Sequence, residues 1–527
     1  MAYQRLSILL IALLLPRCLA SDVPSPANFE RRVNVRVGVI NSQLYLEGGI
    51  ISEKGTSGAW PVNNTLSLDL STSWLPQDAS FRSTDKSSNN IPSLWGNAMF
   101  VDNAAGAFYI WGGRYFFLSD PPPLKLWKFT ANKNGGGEWA TEEADPSFNT
   151  IIRSEAGAHT SSKDAGFWFG GQATPETHDG LSKLNVPGFV SFNFTTKRWA
   201  NHTDAPFSSK GTLAYATATY LPGVGPNGII MLLGGQGQSV PQGSEPISFE
   251  TVHFLDPVTL KWFKQNTTGQ APTARVGHCA VGVTGTNSSE IFVHGGESEG
   301  ALHNDVYILS LPGFNWVNTG ATSQQTRIEM GCVAAGNRNM VVVGGAKFSG
   351  TDTSPDMNSQ GLGIFDMTAL EWKTKYTSDA GQYETPEIIT KWYQEGNLAK
   401  VVFSEGVKDL FPEKETGSNN TSPETGSNNT SPEPDQDKTK SLSAGAIAGA
   451  VVGGVAGIAA IAALVFFLLR KKTHSTLPHH SQTDFSPAYT HSPQSSTMLK
   501  YPAELNNDGE RFELSVPRRF VELPSQP

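Results

Sequence analysis

Six times along this chain an apolar or aromatic run ends in two consecutive glycines: "LYLEGG", "FYIWGG", "FWFGG", "IIMLLGG", "IFVHGG" and "MVVVGG". The pairs fall at Gly48-Gly49, Gly112-Gly113, Gly170-Gly171, Gly234-Gly235, Gly295-Gly296 and Gly344-Gly345. Successive pairs lie 64, 58, 64, 61 and 49 residues apart, a self-similarity that marks a repeat architecture. Glycine weakens a strand. Its recurrence at a strand end calls for a sharp turn or an approach of backbones that a side chain would obstruct.

The flanks of each pair complete a unit. Before it lies a strand containing glycine, as in "RVGVI" and "VGHCAVGV". After it, beyond a long loop, comes a strand that leads to a tryptophan: Trp74, Trp139, Trp199, Trp262, Trp316 and Trp372. The pattern predicts four strands, six times. The middle strands are apolar throughout and do not alternate, so both of their faces must be covered. Blades sandwiched between neighbours meet that demand, with tryptophan supplying large contact area.

A Gly-Gly pair with a downstream Trp in a four-stranded unit resembles the kelch repeat, and the resemblance covers roughly Val33 to Phe411. It implies an all-β kelch propeller of six four-stranded blades. A seventh blade, from Arg31 to Val37 with Glu384 to Phe403, is the alternative; otherwise these terminal pieces complete one blade and latch the ring.

The ends of the chain carry different signals. Residues 1–20 read as a signal peptide, with Arg5, an apolar run from Leu6 to Leu15, and "CLA" before Ser21. The kelch ectodomain follows over 21–411, then a stalk over 412–441 with "ETGSNNTSP" in tandem, too poor in apolar residues to fold. Residues 442–469 read as one transmembrane helix, and "RKK" after it marks the cytoplasmic end. A Ser- and Pro-rich tail, 470–527, reads as disordered. The expected location is therefore the plasma membrane or cell surface, N-terminus outside and C-terminus in the cytosol. Gly445, Gly449, Gly453 and Gly457 recur every fourth residue and offer a helix-packing stripe for a dimer, or belong to a generic Gly/Ala-rich span. Together these features look like the membrane-anchored kelch proteins of filamentous fungi.

N-glycosylation sequons lie at Asn63, Asn193, Asn201, Asn266 and Asn287, and in the stalk at Asn419 and Asn428. Cleavage of the leader leaves Cys279 and Cys332, at matching places in two first strands. They are either bridged, as an oxidising route permits, or packed as small apolar residues. A basic residue stands near the glycine of most inner strands: Arg36, Arg153, Lys210, Arg275 and Arg327. These either line one channel mouth and attract an acidic ligand, or tie the loops of adjacent blades together.

A formal net charge of −9 and the lack of a basic, aromatic-interleaved patch argue against a nucleic-acid partner. Galactose oxidases share the propeller, but no Tyr/His constellation of that kind is evident, so neither metal nor cofactor is expected. The expectation is a non-enzymatic surface protein. It binds a protein or glycan through its loops and recruits cytosolic proteins through its tail. The alternative is a membrane-tethered copper-radical oxidase.

Overall fold

The computed structural model describes residues 23–411 apart from 57, 117–119, 239–242 and 349–350. The segments read as signal peptide, stalk with Asn419 and Asn428, membrane span with its glycine stripe, and tail lie outside the described residues. Among the described residues no helix is long and apolar enough to cross a membrane.

The architecture is all-β. Sheet I is built from Arg36–Ile40, Gln43–Glu47, Asn64–Asp69 and Arg82–Asp85. Sheet II uses Trp95–Asp102, Ala107–Arg114, Leu126–Ala131 and Gly137–Glu142. Sheet III uses Ala158–Ser161, Ala165–Phe169, Phe189–Asn193 and Trp199–His202. Sheet IV uses Thr217–Leu221, Ile229–Leu233, Thr251–Leu255 and Trp262–Asn266. Sheet V uses Cys279–Thr284, Ser289–His294, Asp305–Leu311 and Asn315–Thr322, with Thr268–Gly269 added in parallel at its outer edge. Sheet VI uses Gly331–Ala335, Asn339–Val343, Leu362–Asp366 and Glu371–Lys373. Within each unit the strands pair antiparallel in chain order.

The first strand of each sheet is innermost. It packs beside the first strands of two neighbours, and that of sheet VI packs beside that of sheet I. An apolar cluster fills each of the junctions, I/II through VI/I. The second strands explain why: Ile229–Leu233 and Asn339–Val343 are buried at every position, because a neighbour covers each face. Each repeat tryptophan stands in the junction with the preceding sheet. Trp139 is in I/II, Trp199 in II/III, Trp262 in III/IV, Trp316 in IV/V and Trp372 in V/VI. Trp74 fills the same place in VI/I, but from outside a strand: it bridges Tyr376 and stacks on its ring at 4.8 Å.

The glycine pairs hold neighbouring sheets together. Gly234 and Gly235 have φ of +58° and +82°. A Cβ on Gly234 would lie 2.9 Å from Arg275 O and 2.6 Å from the His278 ring. The Gly235 N–H then donates to Arg275 O at 2.8 Å, in the segment entering the next sheet. The same bond recurs at Gly49 to Leu94 O, Gly113 to Ser154 O, Gly171 to Leu213 O and Gly296 to Arg327 O. The last, Gly345 to Arg32 O, returns to the start of the chain.

Two expectations are corrected. Glu384 to Phe403 holds the α-helix Glu387–Gln394 and a short 3-10 turn, so it supplies no strand of a further sheet. Nor do the terminal pieces complete one blade, since every sheet uses one continuous stretch of chain. The N-terminal piece does latch the ring, and sheet VI closes onto it and onto sheet I. Buried Arg31 donates to Gly345 O at 2.8 Å and Pro355 O at 2.9 Å, and pairs with buried Asp352 at 3.3 Å. The Gln360 amide donates to Pro76 O and Ala79 O, and Asn34 N–H to Glu329 O.

Candidate binding face

Strand direction places all glycine pairs at one end of the sheets, the same end at which each inner strand begins. The loops between second and third strands all emerge there. They are braced. Ile50–Glu53 pairs with Trp60–Pro61 and with Phe29–Val33. Gln172–Ala173 pairs with Leu184–Asn185, Gln236–Gln238 with Ser244–Pro246, and Glu297–Ser298 with Ala301–Leu302. Beneath them a small apolar cluster of Val33, Ile50, Ala59, Ile328 and Ala346 joins loops of different sheets. Trp95, Phe116 and Leu302 pack on it half-buried, with Trp95 stacked on Phe116 at 5.1 Å.

Above that brace, large apolar side chains face solvent. Leu124, Leu184, Phe348 (55% exposed) and Met357 (61% exposed) all stand on these loops. Burying a side chain of this kind is worth about 1.5–3 kcal/mol, so its exposure on a braced loop favours a partner's surface.

The basic candidates do not form one patch. Arg275 is buried, with Nη1 at 2.6 Å from Asp305 and 3.1 Å from Gly295 O. Arg327 is buried against Asp356 at 3.2 Å and Gly344 O at 2.7 Å. Arg153 donates to the carbonyls of Pro122 and Pro123. Each therefore ties loops together, because a guanidinium taken out of water must find acceptors. Lys210 is exposed. Only Arg36 reaches the central channel, where Nε donates to Asn97 O at 2.6 Å and burial pulls its pKa down to about 10.

That channel is a cavity of about 650 Å³ between the inner strands. Cys279 and Cys332 are joined across its wall, Cα to Cα 5.8 Å, so the bridge links sheets V and VI. Three histidines of the inner part stay neutral. Burial lowers His278 to about 3, beside Thr217 at 3.1 Å, and lowers His159 to about 3. His294 falls to about 4 for the same reason, with Nδ1 2.9 Å from Asp305 O. Among the described residues no three of His, Cys, Asp and Glu come together in a way that could hold a metal. Four sequons, Asn63, Asn201, Asn266 and Asn287, are exposed, while Asn193 is half-buried and accepts from Thr195 N and Thr196 N.

The opposite face carries short turns and a strap. After Lys373 the chain crosses sheets VI, V and IV. The Tyr383 hydroxyl donates to buried Glu290 at 2.8 Å, Ile389 enters the V/VI core, and Tyr393 Oη meets Ser310 and Gly313 N at 3.0 Å. Gln265 then clamps Val402 O and Ser404 N, and Gly225 N–H donates to Leu410 O. Sequence reasoning placed a latch in Arg31 to Val37 and Glu384 to Phe403, but missed the partners of Arg31 and the course of the strap. The spacing of Ile389, Trp392 and Tyr393 in "EIITKWYQ" was its available signal.

Residues 216–387, which are sheets IV to VI, match the family model described as the KLHDC2/KLHL20/DRC7 Kelch-repeats domain. A kelch repeat-containing protein of Arthroderma benhamiae is 27% identical over 439 residues, 71% of this chain. The match spans 63% of that relative's own length, so this chain covers less than two thirds of it. Two proteins described as Rab9 effector proteins with kelch motifs are similar over shorter stretches. That of Gallus gallus is 32% identical over 13% of this chain and 17% of its own, and that of Danio rerio 31% over 16% and 21%. The repeated sheets, the glycine pairs and these matches agree in marking kelch repeats in residues 216–387, which the similarity to the Arthroderma benhamiae protein extends along the chain.

Proposed function

We propose that the described part is a six-bladed kelch propeller that binds a protein through the loops on its glycine-pair face. The observation that carries this reading is the set of exposed apolar side chains: Leu184 on a hairpin, Phe348 and Met357 on a loop held by buried ion pairs, and Leu124 on a loop held by Arg153. Adaptable contacts on a rigid scaffold are the usual basis of loop-borne recognition. The Rab9 effector relatives, whose description names a protein, support a protein ligand over a glycan.

In this reading the protein is non-enzymatic and sits at the cell surface. The leader directs it outward, the apolar run 442–469 anchors it, and residues 470–527 recruit cytosolic partners. The oxidase alternative draws no support from the described residues, whose two cysteines are joined to each other and not to a tyrosine. Binding is tested by Phe348→Ser with Met357→Ser in the full chain, followed by co-purification from the parent cells. Loss of a partner that wild type retains supports the reading, and an unchanged partner set contradicts it.

A further inference from the structure

The loop face leaves the central channel without a role. Its wall is mostly apolar: Val37, Val39, Met99, Val101, Val281 and Val333 line it, alongside the disulfide. Charge enters this lining at two places, Arg36 near the glycine-pair end and Lys163 toward the turn end. Arg36 is held across the I/II junction by one bond from Nε to Asn97 O. Among the described residues that is the hydrogen bond its guanidinium makes, which leaves the terminal amino groups for an occupant of the lumen. Glu329, from sheet VI, is the carboxylate close enough to act on Arg36, and its own Oε2 accepts from Asn34 Nδ2 at 2.8 Å. His159, on sheet III, faces the same cation and is kept neutral by burial and by Arg36 itself. Further along the wall Thr219 is 7% exposed, and its hydroxyl has no hydrogen-bond partner among the described residues.

We propose that the channel binds a small organic monocarboxylate with an apolar body, its carboxylate on Arg36 and its body along the valine and methionine wall. The cavity of about 650 Å³ lies within the range of small-molecule sites, roughly 300–1,000 Å³. Inner strands of five residues such as Arg36–Ile40 run about 17 Å, room for an extended short-chain acid. One guanidinium matches one carboxylate in charge and in fork geometry. A polyanion would leave charge against the apolar wall uncompensated. Glu329 sets the affinity low, because it competes for the same cation.

The probe is hexanoate, titrated against the full chain while tryptophan fluorescence follows thermal unfolding, with hexanol and sodium chloride at matched concentrations. A ligand that binds only the folded state raises Tm in a saturable way. The expected result is saturation by hexanoate, with hexanol at least tenfold weaker and chloride without effect. Arg36→Gln should abolish the hexanoate shift while Arg36→Lys retains part of it. Ala334→Trp, at an exposed position of the lining, should abolish the shift by obstruction, with Arg36 intact. An equal shift from hexanol, or no saturable shift in folded wild type, would overturn the proposal. So would an undiminished shift in Ala334→Trp, which decides the matter even if Arg36→Gln does not fold.

Discussion

On the glycine-pair face, charge holds the framework: Arg31 to Asp352, Lys86 to Glu47, Arg275 to Asp305 and Arg327 to Asp356 are buried or nearly so. On the opposite face, the strap is held by hydroxyls and apolar side chains, Tyr383 on Glu290, Tyr393 on Ser310, and Ile389 in the V/VI core. The difference follows from what each face must do. Long loops leave many backbone carbonyls in need of donors, and arginine supplies several at fixed angles. Short turns satisfy their own carbonyls and leave smooth edges, over which an amphipathic strap can lie. One face is thereby closed over by the chain itself, and the other is braced and offered.

The largest effect should come from removing a charge on the braced face. Arg31→Met leaves Asp352 buried and unpaired at the VI/I closure, and should cost about 3–5 kcal/mol in urea unfolding. A loss below about 1 kcal/mol would show that the closure does not rest on that pair.

Acid should act on the same face. His294 has a folded pKa of about 4 against an ordinary 6.5, chiefly from burial. Its neutral form is favoured in the fold, so the stability is intact above pH 6.5 and is lost as pH falls from 6.5 toward 4. The slope should approach about 1.4 kcal/mol per pH unit from this residue alone. Chemical unfolding at a series of pH values checks it, and His294→Gln should flatten that part of the profile.

The repeat was legible in the sequence because its causes are local. A left-handed glycine pair, an apolar second strand and a downstream tryptophan each serve a junction that every unit forms in the same way. Even the odd member, Trp74, fills the junction its position in the series assigns. That the terminal pieces latch the ring was legible, but their partners were not, because these are far apart in sequence: Arg31 reaches Asp352, and Trp74 reaches Tyr376. Of the two readings open for the basic residues, the tying of loops holds for Arg153, Arg275 and Arg327. "Arg near glycine" is the same pattern whether the guanidinium meets a ligand or Asp305 and Asp356, and of the set Arg36 alone opens on the channel.

A smaller effect tests the strap. Tyr393→Phe removes the hydroxyl shared by Ser310 and Gly313 N and should cost about 1 kcal/mol, with no change in ligand binding. The smallest should come from the offered surface itself. Leu184→Ser and Phe348→Ser should each leave stability within about 0.5 kcal/mol of wild type, as exposed positions do. A large loss of stability from either would mean that these side chains are structural and the comparison of faces is wrong.

The most direct measurement places a photoreactive amino acid, one position at a time, on the two faces of the full chain in its parent cells. Leu184, Phe348 and Met357 sample the loop face, and Val258 and Ile388 the face of turns and strap. Binding through the loops predicts discrete protein adducts from the first three positions and none from the last two. Adducts of equal yield from both faces, or from Val258 and Ile388 alone, would contradict it.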